Sequence, residues 1–229
     1  MLGTCVNTAT VIIGTVIGLL VNQHLSQKIS DSVMKALGLC TIYIGFSGTL
    51  KGKNTIIVIV CMAIGAFIGT ILDLDSKMNH FGAWIEAKTK KIAKGKQTSS
   101  VAEAFVTSSL VFCVGAMTIV GSLQSGLTGD NTMIFTKSAL DFVAAIIFSA
   151  TLGYGVIFAA VVVFIYQGAI CLLAGAIAGF LSDAVIAEMT CIGSLLILAL
   201  GLNMIKVSDI KVMNYIPAIF LPLLIYAFI

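Results

Sequence analysis

Arginine is missing altogether: each of the 13 basic residues in this 229-residue chain is a lysine, and charged residues of both signs make up only 10% of it. A soluble domain carries roughly a quarter of its residues as Asp, Glu, Lys and Arg, so the shortage excludes one and implies an integral membrane protein. Histidine is nearly missing too. The two present, His24 and His80, fall in expected connections between apolar segments, which leaves no base for serine catalysis inside a span. The six cysteines, Cys5, Cys40, Cys61, Cys113, Cys171 and Cys191, contain no C-x-x-C pair, which excludes the spacing of a metal or redox site. All six lie in apolar windows and read as small packing residues. A Gly-rich phosphate loop is absent, so ATP hydrolysis is not expected. No basic stretch precedes the first apolar segment, Cys5 to Val21, and no small-x-small site follows it. It therefore reads as a retained span rather than a secretory signal.

What the chain has instead is apolar length, with 59% hydrophobic residues and a mean hydropathy of +1.11. A bilayer core about 30 Å thick takes roughly 20 apolar residues per helical span. Windows of that kind lie near residues 4–22, 33–50, 54–72, 103–121, 133–152, 155–175, 186–204 and 212–229. They are continuously apolar rather than alternating, which excludes a β-barrel, and helices satisfy their own backbone groups in lipid. The expectation is an all-α polytopic transmembrane bundle of eight spans, or seven if 133–152 does not cross fully, forming a single domain over 1–229.

Lysine sets the orientation. With both termini outside, the cytoplasmic side receives Lys28, Lys35, the cluster Lys77, Lys88, Lys90, Lys91, Lys94 and Lys96, and then Lys206 and Lys211, leaving Lys51, Lys53 and Lys137 outside. The basic linker 73–102 places Met78, Phe81, Trp84, Ile85 and Ile92 at helical spacing opposite lysines. Two readings stand, a helix lying on the inner leaflet and a solvated loop; neither suggests nucleic acid.

The two ends resemble each other. "GTVIGLL" at 14–20 matches "GAIAGFL" at 175–181, "ISDSVMKALGLC" at 29–40 matches "LSDAVIAEMTCIG" at 181–193, and Gly38 and Gly45 fall on Gly193 and Gly201 with one residue of slippage. Eight spans would make repeat 1, about 4–72, and repeat 2, about 155–229, inverted copies flanking a central segment 103–154, a usual construction of secondary transporters. A re-entrant fifth segment would make them parallel. GxxxG pairs at Gly14/Gly18, Gly65/Gly69 and Gly175/Gly179 mark packing seams or a homodimer face.

The run after Val120 interrupts the apolar pattern, with Gly121, Ser122, Gln124, Ser125, Gly126, Thr128, Gly129, Asp130 and Asn131. Its glycines loosen a helix, and Gln124, Thr128, Asp130 and Asn131 offer oxygen ligands. Irregular backbone at membrane depth is tolerated where it lines a cavity, so the run reads either as a broken helix beside a solute path or as an ordinary turn ending the fourth span. Lys137 and Asp141 are four residues apart, on one helical face. They form either a buried charge site or a snorkelling lysine with a surface partner. Asn7, Thr10, Tyr43, Ser47, Gln167, Ser194 and Asn203 are further polar residues within spans, and Ser47 falls on Asn203 in the repeat. "GFSG" at 45–48 has the pattern of intramembrane serine proteases, but no histidine is expected near Ser47.

"ALGLCTIYIGFSGTLKG", "CVGAMTIVGSLQSGLTGDN", "FSATLGYGV" and "YQGAI" resemble the YqgA-like family of bacterial inner-membrane proteins, a domain of unknown function, over essentially the whole chain. The resemblance implies a multi-pass protein of the bacterial plasma membrane with a role in transport and brings no catalytic residues. It also favours a site over a casual turn at 120–130. The resulting expectation is a non-enzymatic secondary transporter of a small ionic or polar solute. Gln124, Ser125, Thr128, Asp130 and Asn131 form one wall, Lys137 and Asp141 tune its charge, and Ser47 and Asn203 sit symmetrically about it. No metal or other cofactor is expected beyond a coupling Na+ or H+ on Asp130 or Asp141. A passive channel using the same residues and a structural or regulatory subunit are the alternatives.

Overall fold

The computed structural model describes residues 1–22, 27–89, 100–114 and 116–228, and no strand occurs among them. His24, Ile92, Lys90, Lys91, Lys94 and Lys96 lie outside the described residues. The helices are α1 Leu2–Asn22, α2 Gln27–Thr49, α3 Thr55–Ile71, α4 Leu74–Thr89, α5 Val101–Cys113, α6 Ala116–Leu127 and α7 Thr132–Leu152. After these come α8 Ala159–Leu172, α9 Ala174–Ile177, α10 Asp183–Met204 and α11 Leu221–Phe228. Tight 3-10 turns at Tyr154–Phe158 and Val212–Phe220 lead into α8 and α11; Pro217, which has no N–H to donate, lies within the second.

Among the described residues four stretches are long and apolar enough to cross a membrane: Leu2–Val21, Thr132–Leu152, Tyr154–Leu172 and Asp183–Met204. Two bent pairs bring the number to six if each is one span: Thr55–Ile71 with Leu74–Trp84, bent by 55°, and Val101–Cys113 with Met117–Leu127, bent by 59°. The first bend falls where Asp73 takes a φ of +47°, a left-handed conformation that a short polar side chain tolerates. The segment 133–152 lies in one unbroken helix, Thr132–Leu152, of 21 residues. Side chains facing away from the protein are apolar, among them Ile13, Ile56, Phe67, Leu140, Val143 and Ile165, as lipid requires.

The chain forms two compact units. The first comprises residues 1–34, 79–113 and 117–175, and the second 35–78, 114–116 and 176–229. In the first, α1 and α7 lie side by side in the same direction: Gly3 sits against Asn131 and Ile134, Gly14 against Phe142 and Ala145, and Gly18 against Ile146 and Ser149. A Cβ on Gly14 would stand 2.6 Å from the Phe142 carbonyl oxygen, so the lack of one lets the two backbones approach. Helix α8 returns in the opposite direction, after Gly153 turns the chain with a φ of +90°. Helix α4 forms within the basic linker, with Phe81 stacked on Trp84 at 6.2 Å and Gly82 against Ala102.

In the second unit α2 and α10 run antiparallel. Gly38 packs on Met204, Gly45 on Leu198 and Gly48 on Ser194, while Gly201 packs on Ile42. On α3, Gly65 meets Ala218 and Gly69 meets Asn214. Asn54 caps α3 by accepting from Ile56 N at 3.1 Å, and Ser182 caps α10 through Val185 N at 3.4 Å. Two of the three GxxxG pairs are thus internal seams. The third is not on one helical face, because α9 ends at Ile177, and a Cβ on Gly175 or Gly179 would meet nothing within 4 Å.

These contacts predict opposite outcomes for two glycines. Gly18→Leu drives its side chain into the Ile146 carbonyl and Ser149 and should cost about 1–3 kcal/mol, as overpacking does, whereas Gly175→Leu should leave stability unchanged. Thermal unfolding of the two variants in detergent measures the difference.

Candidate functional site

The run expected to break a helix at 121–131 remains helical as far as Leu127. The break lies earlier, where α5 ends at Cys113 and α6 begins at Ala116. Small side chains make this helix acceptable to its neighbours. Gly121 packs on Ile134 and Met133, and Ser122, Leu123 and Ser125 are buried. The turn is confined to 128–131, where Gly129 takes a φ of +75°. Gln124 is half-buried and Thr128 exposed, and the Gln124 carbonyl accepts both the N–H and the hydroxyl of Thr128, at 2.9 and 2.8 Å.

Asn131 ties this turn to its surroundings. Its Oδ1 accepts from the Ser125 hydroxyl at 2.8 Å and from Gly3 N at 2.9 Å, while its Nδ2 donates to the Gly129 carbonyl at 2.8 Å. Asp130 is exposed, and its Oδ1 accepts Thr132 N at 2.9 Å at the start of α7. That hydrogen bond holds the carboxyl below the usual carboxylate range. The group titrates lower when folded than when unfolded, so its contribution is complete at neutral pH and is lost as pH falls through the lowered value. A carboxylate held this way is a turn anchor, poorly suited to taking up a proton.

Lys137 and Asp141 are buried inside the first unit rather than at its surface. The lysine Nζ donates to Asp141 Oδ1 at 2.7 Å and Oδ2 at 2.6 Å, and Asn7 Nδ2 on α1 donates to Oδ2 at 3.0 Å. The pair shares a buried face of α7 with Ile134, Ser138, Ala145 and Phe148. In the same unit several buried polar atoms have no hydrogen-bond partner among the described residues: Thr4 Oγ1, Asn7 Oδ1, Thr107 Oγ1, Ser122 Oγ and both amide atoms of Gln167. Buried polar groups are nearly always paired, so such a concentration asks for a cause. Thr4 and Asn7 are three residues apart on α1, and the Thr4 side chain approaches Gly168, next to Gln167. The polar interior lies apart from an apolar groove of about 400 Å³ formed by Ile12, Ile157, Phe158, Ala160, Val161 and Phe164 with Thr8.

Ser47 and Asn203 belong to the second unit, whereas the other seven candidates belong to the first. Ser47 is exposed on α2. Asn203 staples the loop after α10: its Oδ1 accepts from Ser208 at 2.6 Å and Ile210 N at 3.0 Å, and its Nδ2 donates to the Ile210 carbonyl at 2.8 Å. Sequence reading overlooked Glu188, a fully buried carboxyl on α10. Its signal was there to find, as the single acid between Asp183 and Asp209. Among the described residues no three His, Cys, Asp or Glu side chains gather as a metal ion would require.

An all-helical chain with apolar exteriors and a buried ion pair is a polytopic membrane protein. Its sequence matches the family described as Protein of unknown function (DUF554) over residues 2–227, and the chain belongs to that family. It is 30% identical over 226 residues to the "Uncharacterized membrane protein YdfK" of Bacillus subtilis (strain 168), covering 97% of this chain and 94% of the relative. It is 29% identical over 221 residues to the "Uncharacterized protein YqgA" of Escherichia coli (strain K12), covering 96% and 94%. No solved structure matches it.

Removing one partner of a buried ion pair strands the other. Lys137→Met alone should therefore lower stability by about 3–5 kcal/mol, and adding Asp141→Leu should restore most of it. A double-mutant cycle of unfolding free energies in detergent reads the coupling.

Proposed function

We propose that the protein is a secondary transporter of a small ionic or polar solute across the bacterial plasma membrane, and that the polar interior of its first unit is the solute site. The observation that carries this reading is Gln167, fully buried on α8 with neither amide atom hydrogen-bonded among the described residues. Thr4, Thr107 and Ser122 carry further buried hydroxyls without partners. An unpaired buried polar atom costs roughly 1–3 kcal/mol, a cost a fold keeps where those atoms serve a ligand. Lys137 and Asp141 set the charge of the site, and Gln124, Ser125, Thr128, Asp130 and Asn131 form its outer end. The bend between α5 and α6 brings helix ends, with their partial charges, into the bundle.

An inverted repeat is part of the reading. One shift in numbering carries Gly45 to Gly201, Ile42 to Leu198, Gly38 to Ser194 and Gly48 to Met204. The contact of Gly45 with Leu198 then becomes that of Gly201 with Ile42, and the contact of Gly38 with Met204 becomes that of Gly48 with Ser194. Ser47 goes to Asn203 by the same shift. Any antiparallel pair of helices exchanges contacts in this way, so the repeat rests on the likeness of the two sequences. A helical chain suits the plasma membrane, since outer-membrane spans are closed barrels, and the lysine distribution supports a cytoplasmic segment 73–102. The pairs Gly14/Gly18 and Gly65/Gly69 are occupied inside the fold and take no part in the proposed homodimer face.

Gln167→Leu tests the site without removing any protein contact. Purified protein in liposomes, screened by solid-supported-membrane electrophysiology against a panel of small ions and polar metabolites, should give saturable transient currents. Gln167→Leu should lose them while unfolding at the same or a higher temperature. Steady conductance at high throughput would mean a channel. Currents that survive in Gln167→Leu would remove the solute role of that residue, and currents absent from the wild type across the panel would favour a structural subunit.

A further inference from the structure

Three Asp, Glu or Lys side chains are buried among the described residues, and two of them, Lys137 and Asp141, neutralise each other. The third, Glu188 in the second unit, forms no ion pair among the described residues. Its Oε1 accepts two backbone N–H groups from the loop between α2 and α3, Lys53 N at 2.9 Å and Asn54 N at 2.7 Å. Its Oε2 is buried with no hydrogen-bond partner among the described residues. A Cβ on Gly52 would stand 3.4 Å from that oxygen and 2.7 Å from Cys191 Sγ, so the bare glycine leaves the oxygen its space. The titratable groups within electrostatic reach are Cys61 on α3, Cys191 on α10 and Tyr226 on α11. The nearby loop cations Lys51 and Lys53 turn their side chains to the exterior. Among the described residues no lysine is paired with the carboxylate.

A buried carboxylate with one oxygen doubly satisfied and the other bare keeps its full charge in an apolar setting, which is costly. A proton on Oε2 removes the charge and leaves Oε1 able to accept both N–H groups. A hard metal cation needs several oxygen ligands, and a thiol and a glycine do not supply them. We infer that Glu188 is a proton-binding carboxyl, taking H+ at Oε2 from water on the side of the membrane that loop 50–54 faces, and that this loop covers the site. The assignment stands apart from the transport reading. Where that reading also holds, Glu188 carries the coupling proton in place of Asp130, which anchors a turn, and Asp141, whose oxygens are taken by Lys137 and Asn7.

Infrared difference spectra of the full chain in liposomes, recorded between acid and alkaline pH, should show a carboxylic-acid C=O band giving way to carboxylate bands. Subtracting the difference spectrum of Glu188→Gln, whose amide oxygen can still accept from Lys53 and Asn54, cancels the other Asp and Glu side chains and should leave one such band, which Asp141→Asn should retain. Wild-type protein treated with dicyclohexylcarbodiimide, an apolar reagent for protonated carboxyls, should be labelled at Glu188 in acid and several-fold less in alkali, as read by peptide mapping. This second measurement does not depend on a variant folding. A wild-type minus Glu188→Gln double difference without that band, or labelling at Glu188 that ignores pH, overturns the inference. A band displaced by sodium at constant pH overturns it in favour of a sodium site.

Discussion

In the first unit, the pairing of Lys137 with Asp141 is the interaction the rest depends on. Lipid offers no water to either charge, so both must be answered inside the bundle, and the i, i+4 spacing on α7 lets one helix supply both ions. Asn7 completes the arrangement from α1, which fixes that helix in rotation as well as position. The pair is therefore a registration device for α1 against α7 and also the main source of charge within the unit.

Close helix approach supplies the second constraint. Apolar side chains gain nothing by leaving lipid for one another, so helices associate where backbones can come near and van der Waals contact is dense. Gly14 and Gly18 do this for α1, Gly38, Gly45 and Gly48 for α2, and Gly65 and Gly69 for α3. Each seam is spent inside the chain. The polar side chains then partition between two tasks: Asn131, Asn203 and Asn54 tie down turns and helix starts, whereas Gln167, Thr4 and Ser122 bond to no protein group.

Much of this was legible in the sequence, for reasons that differ from residue to residue. The apolar windows located α1, α7, α8 and α10 closely, because twenty apolar residues in lipid have little alternative to a helix. The Lys137–Asp141 pair was legible from its spacing, though not its burial, which depends on α1 lying alongside. The break at Val114 was hidden in an apolar stretch with one glycine. The polar run after it misled, because Ser122 and Ser125 face inward from an intact helix and only 128–131 turn. Asn203 read as an interior residue, and it instead bonds to Ser208 and Ile210 in the loop after α10. Glu188 escaped notice because a lone acid among apolar neighbours has no periodicity, and its partners are backbone N–H groups more than a hundred positions away.

The shared direction of α1 and α7 constrains the topology of the whole N-terminal half. Gly3 lies beside Asn131 and Gly18 beside Ser149, so the chain leaves α1 on one face of the membrane and must be back on the opposite face when α7 begins. Between them it traverses an odd number of times. The two bent pairs cannot supply an odd number by both crossing, so either one of them turns back or a further stretch crosses beside them.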